Sequence, residues 1–383
     1  MKKLFYENSH LRTFSARVTD CRETEKGFLV TLDATAFYPE GGGQACDIGT
    51  LGDARVLEVK EKGEEVLHLC DKALSVGETV EGCIDWQRRF DLMQQHTGEH
   101  ILSGIIHARY GHGNSGFHIG AEVLEVDFDG PIPAEDLPEL ELAVNKAIWK
   151  NVPVLSYVPS PEELPNIPYR TKRALPWPVR IVEVKGYDLC ACCGVHVKYT
   201  GEVGLVKLLS CVKFHQGVRI EMVCGGRALQ YLSAIYDQNK QVSAAFSARP
   251  TETGEAARHM NDLLSQEKYR TLTVRKKYFA LLAEKYRGAG LAVCFEEGLE
   301  PAGVRELAIA ISEVCGGVAA VFSGQDGEGY NLCLAGDVAK VKNLGAALAS
   351  GLKARGGGKP GFYQGSIPAN EAEIMAFCKD YRE

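Results

Sequence analysis

Several features that define whole classes of protein are missing from this 383-residue sequence. It has no run of about 18 apolar residues, so we expect no membrane span. Its first residues, MKKLFYEN, include the acid Glu7 and lead into no apolar segment, which argues against a secretory signal peptide. No long internal repeat, no Walker A motif and no Asp-His-His sequence occurs. These absences predict a globular, cytoplasmic protein without a P-loop.

An excess of basic residues is missing as well. The sequence has 43 lysines and arginines against 50 aspartates and glutamates, a formal net charge of −7. A nucleic-acid partner would therefore have to meet a local basic patch. The 13 cysteines are odd in number and scattered, which suits reduced cytosolic thiols better than a disulfide framework. The length allows two to four domains.

What the sequence does contain is a pair of histidines in the helix-like stretch QQHTGEHIL at residues 94–102. His96 and His100 are four residues apart, and positions i and i+4 of a helix lie on the same face. Two imidazoles that reach one point in space supply half of a zinc site. The other half must come from elsewhere in the chain.

The best candidate for that other half is the run CCGVH at residues 192–196. It completes a mixed nitrogen and sulfur set of the kind that zinc prefers: His96, His100, Cys192 and His196. Cys190 and Cys193 flank Cys192, so either could be the ligand in its place. The alternative is that the histidines face solvent and the thiols are merely buried, because short motifs also arise by chance.

A glycine-rich stretch, AFYPEGGGQACDIG, occupies residues 36–49. Three consecutive glycines are usual where a backbone approaches another group closely, so Gly42 and Gly43 are candidates for contact with a substrate. Gln44 follows them and presents an amide that can donate and accept hydrogen bonds. Taken by itself, the stretch is better explained as a hairpin loop with an exposed glutamine.

The element pattern predicts an α+β multidomain fold in four parts. Residues 1–85 contain short β-rich runs separated by turn signals and predict a small β-barrel or sandwich. Residues 86–226 carry the histidine helix, at 86–109, and helices laid on an antiparallel sheet. Residues 227–288 indicate a hairpin of two long helices, and residues 289–383 alternate strands and helices as a small α/β domain.

Two basic features could contact a phosphate backbone. The second arm of the predicted hairpin carries Arg275, Lys276 and Lys277, although a charge run is usually only a solvated face. Lys359 follows three glycines at 356–358, an arrangement that can cradle a phosphate. The apolar faces of the two helices further predict a homodimer.

Taken in order, these motifs resemble one family. The runs FYPEGGGQ at 37–44, HxxxH at 96–100, CxxxH at 192–196 and GVRIE at 217–221 are similar to the editing half of alanyl-tRNA synthetase. They look most like its free-standing relatives, the alanyl-tRNA editing proteins of the AlaX type. The triple glycine near the C-terminus resembles the DHHA1 domain that ends the synthetase and the long editing proteins. The resemblance covers essentially the whole chain, but nothing resembles the activating domain, so attachment of alanine is not expected.

The chain departs from the family motifs at two places. Gly41 stands where the usual run is Ser-Gly-Gly-Gln. After the ligand cysteine the usual run is Gly-Gly-Thr-His, whereas this chain has Cys193, Gly194 and Val195 before His196. The extra thiol leaves the identity of the ligand cysteine open.

The resemblance implies hydrolysis of the ester that joins serine or glycine wrongly to alanine tRNA, with zinc at the four-residue set. An aminoacyl ester is already activated, so an oriented water and a polarised carbonyl suffice. Gln44 would orient the water or the ester. A water or substrate group would lie near His196, because a catalytic zinc keeps one position open. Glu99 could act as a base, but helical geometry directs it away from the histidine face.

Selectivity against alanine would rest on polar groups that pair with a serine hydroxyl. Alanine is smaller than serine and cannot be excluded by size, but it would leave a buried polar group unpaired. Thr97, Ser115 and His118 have suitable side chains, and the sequence does not choose among them.

Three other functions compete with this interpretation. HTGEH also fits the inverted zinc-protease motif HxxEH, in which Glu99 would be the base and a later glutamate the third ligand: Glu162, Glu163 or Glu183. That function leaves the glycine stretch and the Cys192 to His196 run unexplained. A phosphoesterase would need the missing Asp-His-His sequence. The third is a non-catalytic tRNA-binding protein with a structural zinc.

Overall fold

A computed structural model describes residues 1–171, 175 and 177–381 of the chain. The chain divides into two compact units, Met1–Gln241 and Val242–Glu383. Helices and sheets occur in both, which confirms the prediction of a multidomain α+β protein. The finer division into four domains stays a prediction. Among the described helices, none combines the length and apolar character needed to cross a membrane.

Residues 1–84 consist mainly of short antiparallel strands. In chain order the elements are β1 (Lys2–Lys3), α1 (Leu4–Glu7), β2 (Thr13–Thr24), β3 (Gly27–Leu32), β4 (Ala34–Thr35), β5 (Gly49–Leu51), β6 (Ala54–Lys62), β7 (Glu65–Cys70) and β8 (Thr79–Ile84). Six of them pair in a closed ring, in the order β2-β3-β7-β6-β5-β8. Every second residue of β8 is buried, the period of a strand with one face on a core. The glycine-rich stretch connects β4 to β5.

The rest of the first unit contains the histidine helix and two sheets. Its elements are α2 (Trp86–Tyr110), β9 (Asn114–Ile119), β10 (Leu124–Phe128), α3 (Leu137–Trp149), β11 (Val154–Tyr157), β12 (Ile181–Val184), β13 (Asp188–Ala191), β14 (Val206–Phe214), β15 (Gly217–Cys224) and α4 (Gly225–Phe246). Strands β14-β15-β10-β9 form one antiparallel sheet, and β11-β12-β13 form another. The helix and the antiparallel sheet were predicted, whereas β9 and β13 were not.

Local signals explain where α2 begins and ends. The Asp85 side chain accepts a hydrogen bond from the backbone N–H of Arg88, as an N-cap does. Gly111 has a φ of 73° and ends the helix in the left-handed conformation that glycine adopts at little cost. The segment from Gln95 to Gly104 is buried throughout, so the histidines face protein groups and not solvent.

A buried ion pair fastens α2 to the glycine-rich stretch. The Arg89 and Asp47 side chains are both 0% exposed, and Arg89 Nε lies 2.8 Å from Asp47 Oδ1. Arg89 Nη2 also donates to the carbonyl of Ala36 at 2.7 Å, and Asp47 accepts from the backbone N–H of Tyr38 at 2.6 Å. The pair therefore holds both ends of the stretch against the helix.

The second unit is a sheet with helices on both faces. Its elements are α5 (Thr253–Glu284), β16 (Leu291–Phe295), α6 (Pro301–Cys315), β17 (Val318–Gln325), β18 (Gly329–Gly336), α7 (Val338–Leu352), β19 (Arg355–Gly357), β20 (Phe362–Ile367) and α8 (Glu371–Asp380). The strand order is β16-β17-β18-β20-β19. One core lies between the sheet and α5 and α6, the other between the sheet and α7 and α8. Two of the three glycines at 356–358 belong to edge strand β19.

Candidate active site

Four side chains from two distant stretches meet at one point in the first unit. The ligand atoms of His96, His100, Cys192 and His196 all lie within 4.8 Å of one another. Cys192 Sγ is 3.4 Å from His96 Nε2 and 3.6 Å from His196 Nε2. The fold thus brings together the set predicted from the sequence. Cys192 is the thiol that joins the three histidines, whereas Cys193 is exposed and faces the Tyr38 hydroxyl.

Each histidine of this cluster has its second ring nitrogen held by a protein group. The Nδ1 partners are Gln44 Oε1 for His96 at 2.8 Å, Asp188 Oδ2 for His100 at 2.9 Å and Thr97 Oγ1 for His196 at 3.1 Å. Gln44 Oε1 also accepts from the backbone N–H of Val195, which fixes the orientation of its amide. Because these oxygens accept hydrogen bonds from the rings at Nδ1, the Nε2 atoms point into the cluster.

The surroundings of Cys192 and His196 favour the ionisation states that a metal needs. Burial would lower the pKa of His100, but Cys192 and the hydrogen bond to Asp188 raise it well above its ordinary value, so a metal ion would have to displace a proton there. Burial would raise the pKa of the Cys192 thiol, but the nearby His96 and His100 and hydrogen bonds from His100 and His196 hold it well below its ordinary value. Burial and the same two histidines lower the pKa of His196 to about 3. A thiolate and a neutral imidazole are the ligand forms of cysteine and histidine. Three imidazoles and one thiolate suit zinc.

A cavity of about 730 Å³ opens beside the cluster. His96, His100 and Cys192 form part of its wall, as do Gly42 and Gly43. His196 is buried and is not among the described residues that line it. The placement of a substrate group near His196 stays a prediction. The volume is within the range of small-molecule sites, about 300–1,000 Å³.

Glu99 lies in the wall of this cavity, although helical geometry predicted that it points away. Its Oε2 is 3.9 Å from His100 Nε2. The hydroxyl of Ser103 donates to its Oε1 at 2.6 Å, and the Nδ2 of Asn114 donates to the same atom. The prediction failed because it considered only the direction of the Cα–Cβ bond. A glutamate side chain is long enough to turn towards a neighbouring helix position.

Asn114 is a site residue that the sequence analysis missed. It lies on β9 and lines the cavity. Since its Nδ2 faces a carboxylate, its Oδ1 is directed elsewhere, and this buried oxygen has no hydrogen-bond partner among the described residues. An unpaired buried acceptor costs about 1–3 kcal/mol, so the atom is suited to a donor from a ligand. Strand alternation next to the exposed Ser115 is the signal that could have found it.

The polar residues predicted to meet a serine hydroxyl lie elsewhere. Thr97 is fully buried and is occupied by His196 and by the backbone N–H of Val197. Ser115 and His118 are exposed, and neither lines the cavity in the described part of the chain. Their role as substrate contacts is therefore not supported by their positions.

Gly42 and Gly43 lie in the cavity wall, as expected for residues that approach a substrate. Both have positive φ, 57° and 80°, and both pack closely on protein groups. A Cβ atom at Gly42 would be 2.7 Å from Cys193 Sγ, and one at Gly43 would be 2.8 Å from Cζ of Phe117. The glycines are thus required by contacts within the protein, whatever else the cavity holds.

The glutamates that a zinc peptidase would use do not join the cluster. Glu162 and Glu163 are exposed, and Glu183 lies on β12. The ligand groups that the described residues form contain none of the three. Cys192 and His196 occupy the positions that the peptidase motif leaves to a glutamate.

The predicted tRNA contacts lie in the second unit. Arg275 makes ion pairs with Glu300 at 2.6 Å and Glu306 at 2.9 Å, which neutralise its charge. Lys276, Lys277 and Lys359 are exposed. Contact of these residues with a phosphate backbone stays a prediction.

Comparison with known proteins gives the same picture along the chain. A family model described as "tRNA synthetases class II (A)" matches residues 3–88, and one described as "Threonyl and Alanyl tRNA synthetase second additional domain" matches residues 179–221. The alanyl-tRNA editing protein Aarsd1 of Danio rerio is 28% identical over 370 residues, 94% of this chain and 90% of the relative. The alanyl-tRNA editing protein AlaX-L of Pyrococcus horikoshii is 34% identical over 245 residues, 61% of each chain. The alanine–tRNA ligase of Ignicoccus hospitalis is 33% identical over 270 residues, 65% of this chain and 29% of the ligase.

Proposed function

Because the chain belongs to the alanyl-tRNA editing protein family, we propose that it hydrolyses the ester bond of alanine tRNA that carries serine or glycine. The observation that carries the proposal is the cluster of three histidines and one cysteine, of which His96, His100 and Cys192 line a cavity. Glu99 and Asn114 line the same cavity, and Oδ1 of Asn114 is unpaired among the described residues. The cavity therefore offers a group for catalysis and a group for recognition.

Zinc is the ion that fits the cluster. His96, His100, Cys192 and His196 would hold it, and the oriented Nδ1 partners of the histidines support this assignment. When bound, the ion supplies a Lewis acid that can polarise the ester carbonyl or anchor the substrate. Its role in catalysis is part of the proposal.

The protein groups around the cluster divide into positioning and reacting residues. Gln44 Oε1 is committed to His96 and to the backbone of Val195, so Gln44 positions a ligand. Its Nε2 is buried without a partner among the described residues, and Gln44 is not among the described residues that line the cavity. Glu99 lines the cavity and is the carboxylate best placed to accept a proton from the attacking water.

The direct test is the deacylation of alanine tRNA charged with serine, glycine or alanine. We expect serine to be released faster than alanine, because the cavity holds an acceptor that alanine cannot satisfy. Chelator should slow the reaction, and zinc should restore it. Equal rates for serine and alanine would refute the editing function. A rate that chelator does not change would refute the role of zinc.

Replacement of Asn114 by alanine is expected to lower the selectivity for serine. A lost hydrogen bond of about 1.4 kcal/mol would reduce kcat/KM for seryl-tRNA about tenfold relative to glycyl-tRNA. Glycine has no hydroxyl, so the ratio of the two rates cancels any general damage through Glu99. The matched control is Ser115→Ala, at the exposed neighbouring position. An equal loss for both substrates would show that Asn114 does not read the hydroxyl.

The remaining parts of the proposal concern partners and location. Charged tRNA is the partner, and Lys276, Lys277 and Lys359 are the exposed cations that we propose contact its backbone. A homodimer through the helices of residues 227–288 stays a prediction. The thirteen cysteines are all free thiols, which supports a reducing compartment such as the cytoplasm.

A further inference from the structure

A chain of hydrogen bonds leads from His100 to a residue in the cavity wall. His100 Nδ1 lies 2.9 Å from Asp188 Oδ2. Arg170 donates two hydrogen bonds to the same carboxylate, from Nε to Oδ1 at 2.7 Å and from Nη2 to Oδ2 at 3.0 Å. The Asp188 side chain is 1% exposed and that of Arg170 is 14% exposed, so solvent screens these bonds little.

Arg170 belongs to a segment that lies along β13. Its backbone N–H donates to the carbonyl of Leu189 at 2.7 Å, and its carbonyl accepts from the N–H of Ala191 at 2.9 Å. Together with Tyr169 and Thr171 it lines the cavity. One residue is therefore both a part of the cavity wall and a neighbour of the group that holds a metal ligand.

The planar guanidinium is suited to this position. It meets both carboxylate oxygens of Asp188 at once, which fixes the plane of the carboxylate as well as its place. Without it, Asp188 would be a buried carboxylate with a single partner, an arrangement that proteins avoid. The carboxylate would then turn or take up water, and the ring of His100 would lose its fixed orientation.

We infer that Arg170 is a positioning residue of the metal centre: through Asp188 it holds His100 with Nε2 directed at the cluster. The inference rests on the proposed zinc site. Arg170 also connects the Tyr169–Thr171 wall of the cavity to the proposed metal ligands, because a shift of Arg170 would break its hydrogen bonds to Asp188.

The experiment measures metal affinity, with cobalt or zinc titrated into the full chain against a chromophoric chelator. Arg170→Met should weaken binding about 10- to 100-fold, as the loss of an outer partner of a ligand does. Arg170→Lys should lie between Arg170→Met and the wild type, because an ammonium cannot bind the carboxylate in two parallel bonds. The absorption spectrum of bound cobalt should change in both variants. Arg109→Met is the control, since Arg109 makes its ion pairs on the surface with Asp136 and Glu139.

A second readout separates positioning from direct contact with substrate. If Arg170 acts through the metal, excess zinc should restore deacylation by Arg170→Met. Lost activity with unchanged metal affinity, or without rescue by zinc, would overturn the inference and make Arg170 a substrate contact. If the wild-type chain binds neither cobalt nor zinc, the proposed metal site fails instead. Circular dichroism establishes that each variant is folded.

Discussion

Replacement of Cys192 by alanine is expected to weaken metal binding strongly and to slow deacylation. The thiolate is the one anionic group among the four ligands, and the remaining three are imidazoles buried within 4.8 Å of one another. A divalent ion beside neutral ligands in a desolvated site loses the charge that offsets its dehydration. The wild type should hold about one zinc per chain, as a four-ligand site does. After dialysis against a weak chelator, Cys192→Ala should hold almost none.

The neighbouring thiols provide matched controls for this prediction. Cys193→Ala changes the adjacent residue, whose thiol is exposed, and Cys190→Ala changes the third thiol in the cavity wall. Both should keep the metal and most of the activity. Loss of a metal contribution of several kcal/mol to the transition state corresponds to more than about a 100-fold drop in rate for Cys192→Ala. Full metal content in that variant, measured by atomic absorption, would refute the ligand assignment.

Replacement of Arg89 by methionine is expected to destabilise the first unit by about 3–5 kcal/mol. The variant leaves the Asp47 carboxylate buried at 0% exposure without its cationic partner. It also frees the carbonyl of Ala36, to which Arg89 donates at 2.7 Å. The glycine-rich stretch would lose its attachment to α2, and Gln44 would lose its fixed position beside His96.

Tryptophan fluorescence in urea can measure this change. The three tryptophans, Trp86, Trp149 and Trp177, all lie in the first unit, so the signal reports on that unit. Arg88→Met is the matched control, because Arg88 is half-buried and its side chain makes one hydrogen bond to the described residues, to the carbonyl of Cys46 at 3.2 Å. It should cost less than about 1.5 kcal/mol, the upper value for a single hydrogen bond. A loss equally small in Arg89→Met would show that the ion pair contributes no stability.

The four members of the cluster could be predicted from the sequence because their spacing is local. His96 and His100 are four residues apart, and any helix places such residues on one face. Cys192 and His196 are equally close in sequence. Only the choice among three neighbouring thiols required the structure, since it depends on how the turn after β13 approaches α2.

The groups that complete the site could not be predicted, because they reach it through tertiary contacts. Asp188 is 88 positions from His100 in the chain, and Arg170 lies between them, 18 positions before Asp188. No periodicity connects such residues. Thr97 was identified as polar and close to the ligands, but its hydroxyl faces His196 and not the cavity. Residue type indicated its chemistry, and only packing determined its partner.

The two departures from the family motifs meet in space. A Cβ atom at Gly41 would lie 3.9 Å from Cys193 Sγ, and the thiol also approaches the Tyr38 hydroxyl at 4.0 Å. A serine at 41 would add a hydroxyl on this side. In this fold, a side chain at position 41 would therefore lie beside the Cys193 thiol.

The distance along the chain between the two halves of the cluster has a consequence for the lifetime of the protein. An ion shared by His96 and Cys192 closes a loop of 96 positions. For a covalent cross-link of about that length, the chain-entropy model assigns about 4–5 kcal/mol of stabilisation at 25 °C. Bound zinc would act as such a cross-link, and the free energy of unfolding would rise further as the concentration of free zinc increases. Without bound zinc, the fraction of unfolded chain that is open to proteolysis would therefore be larger.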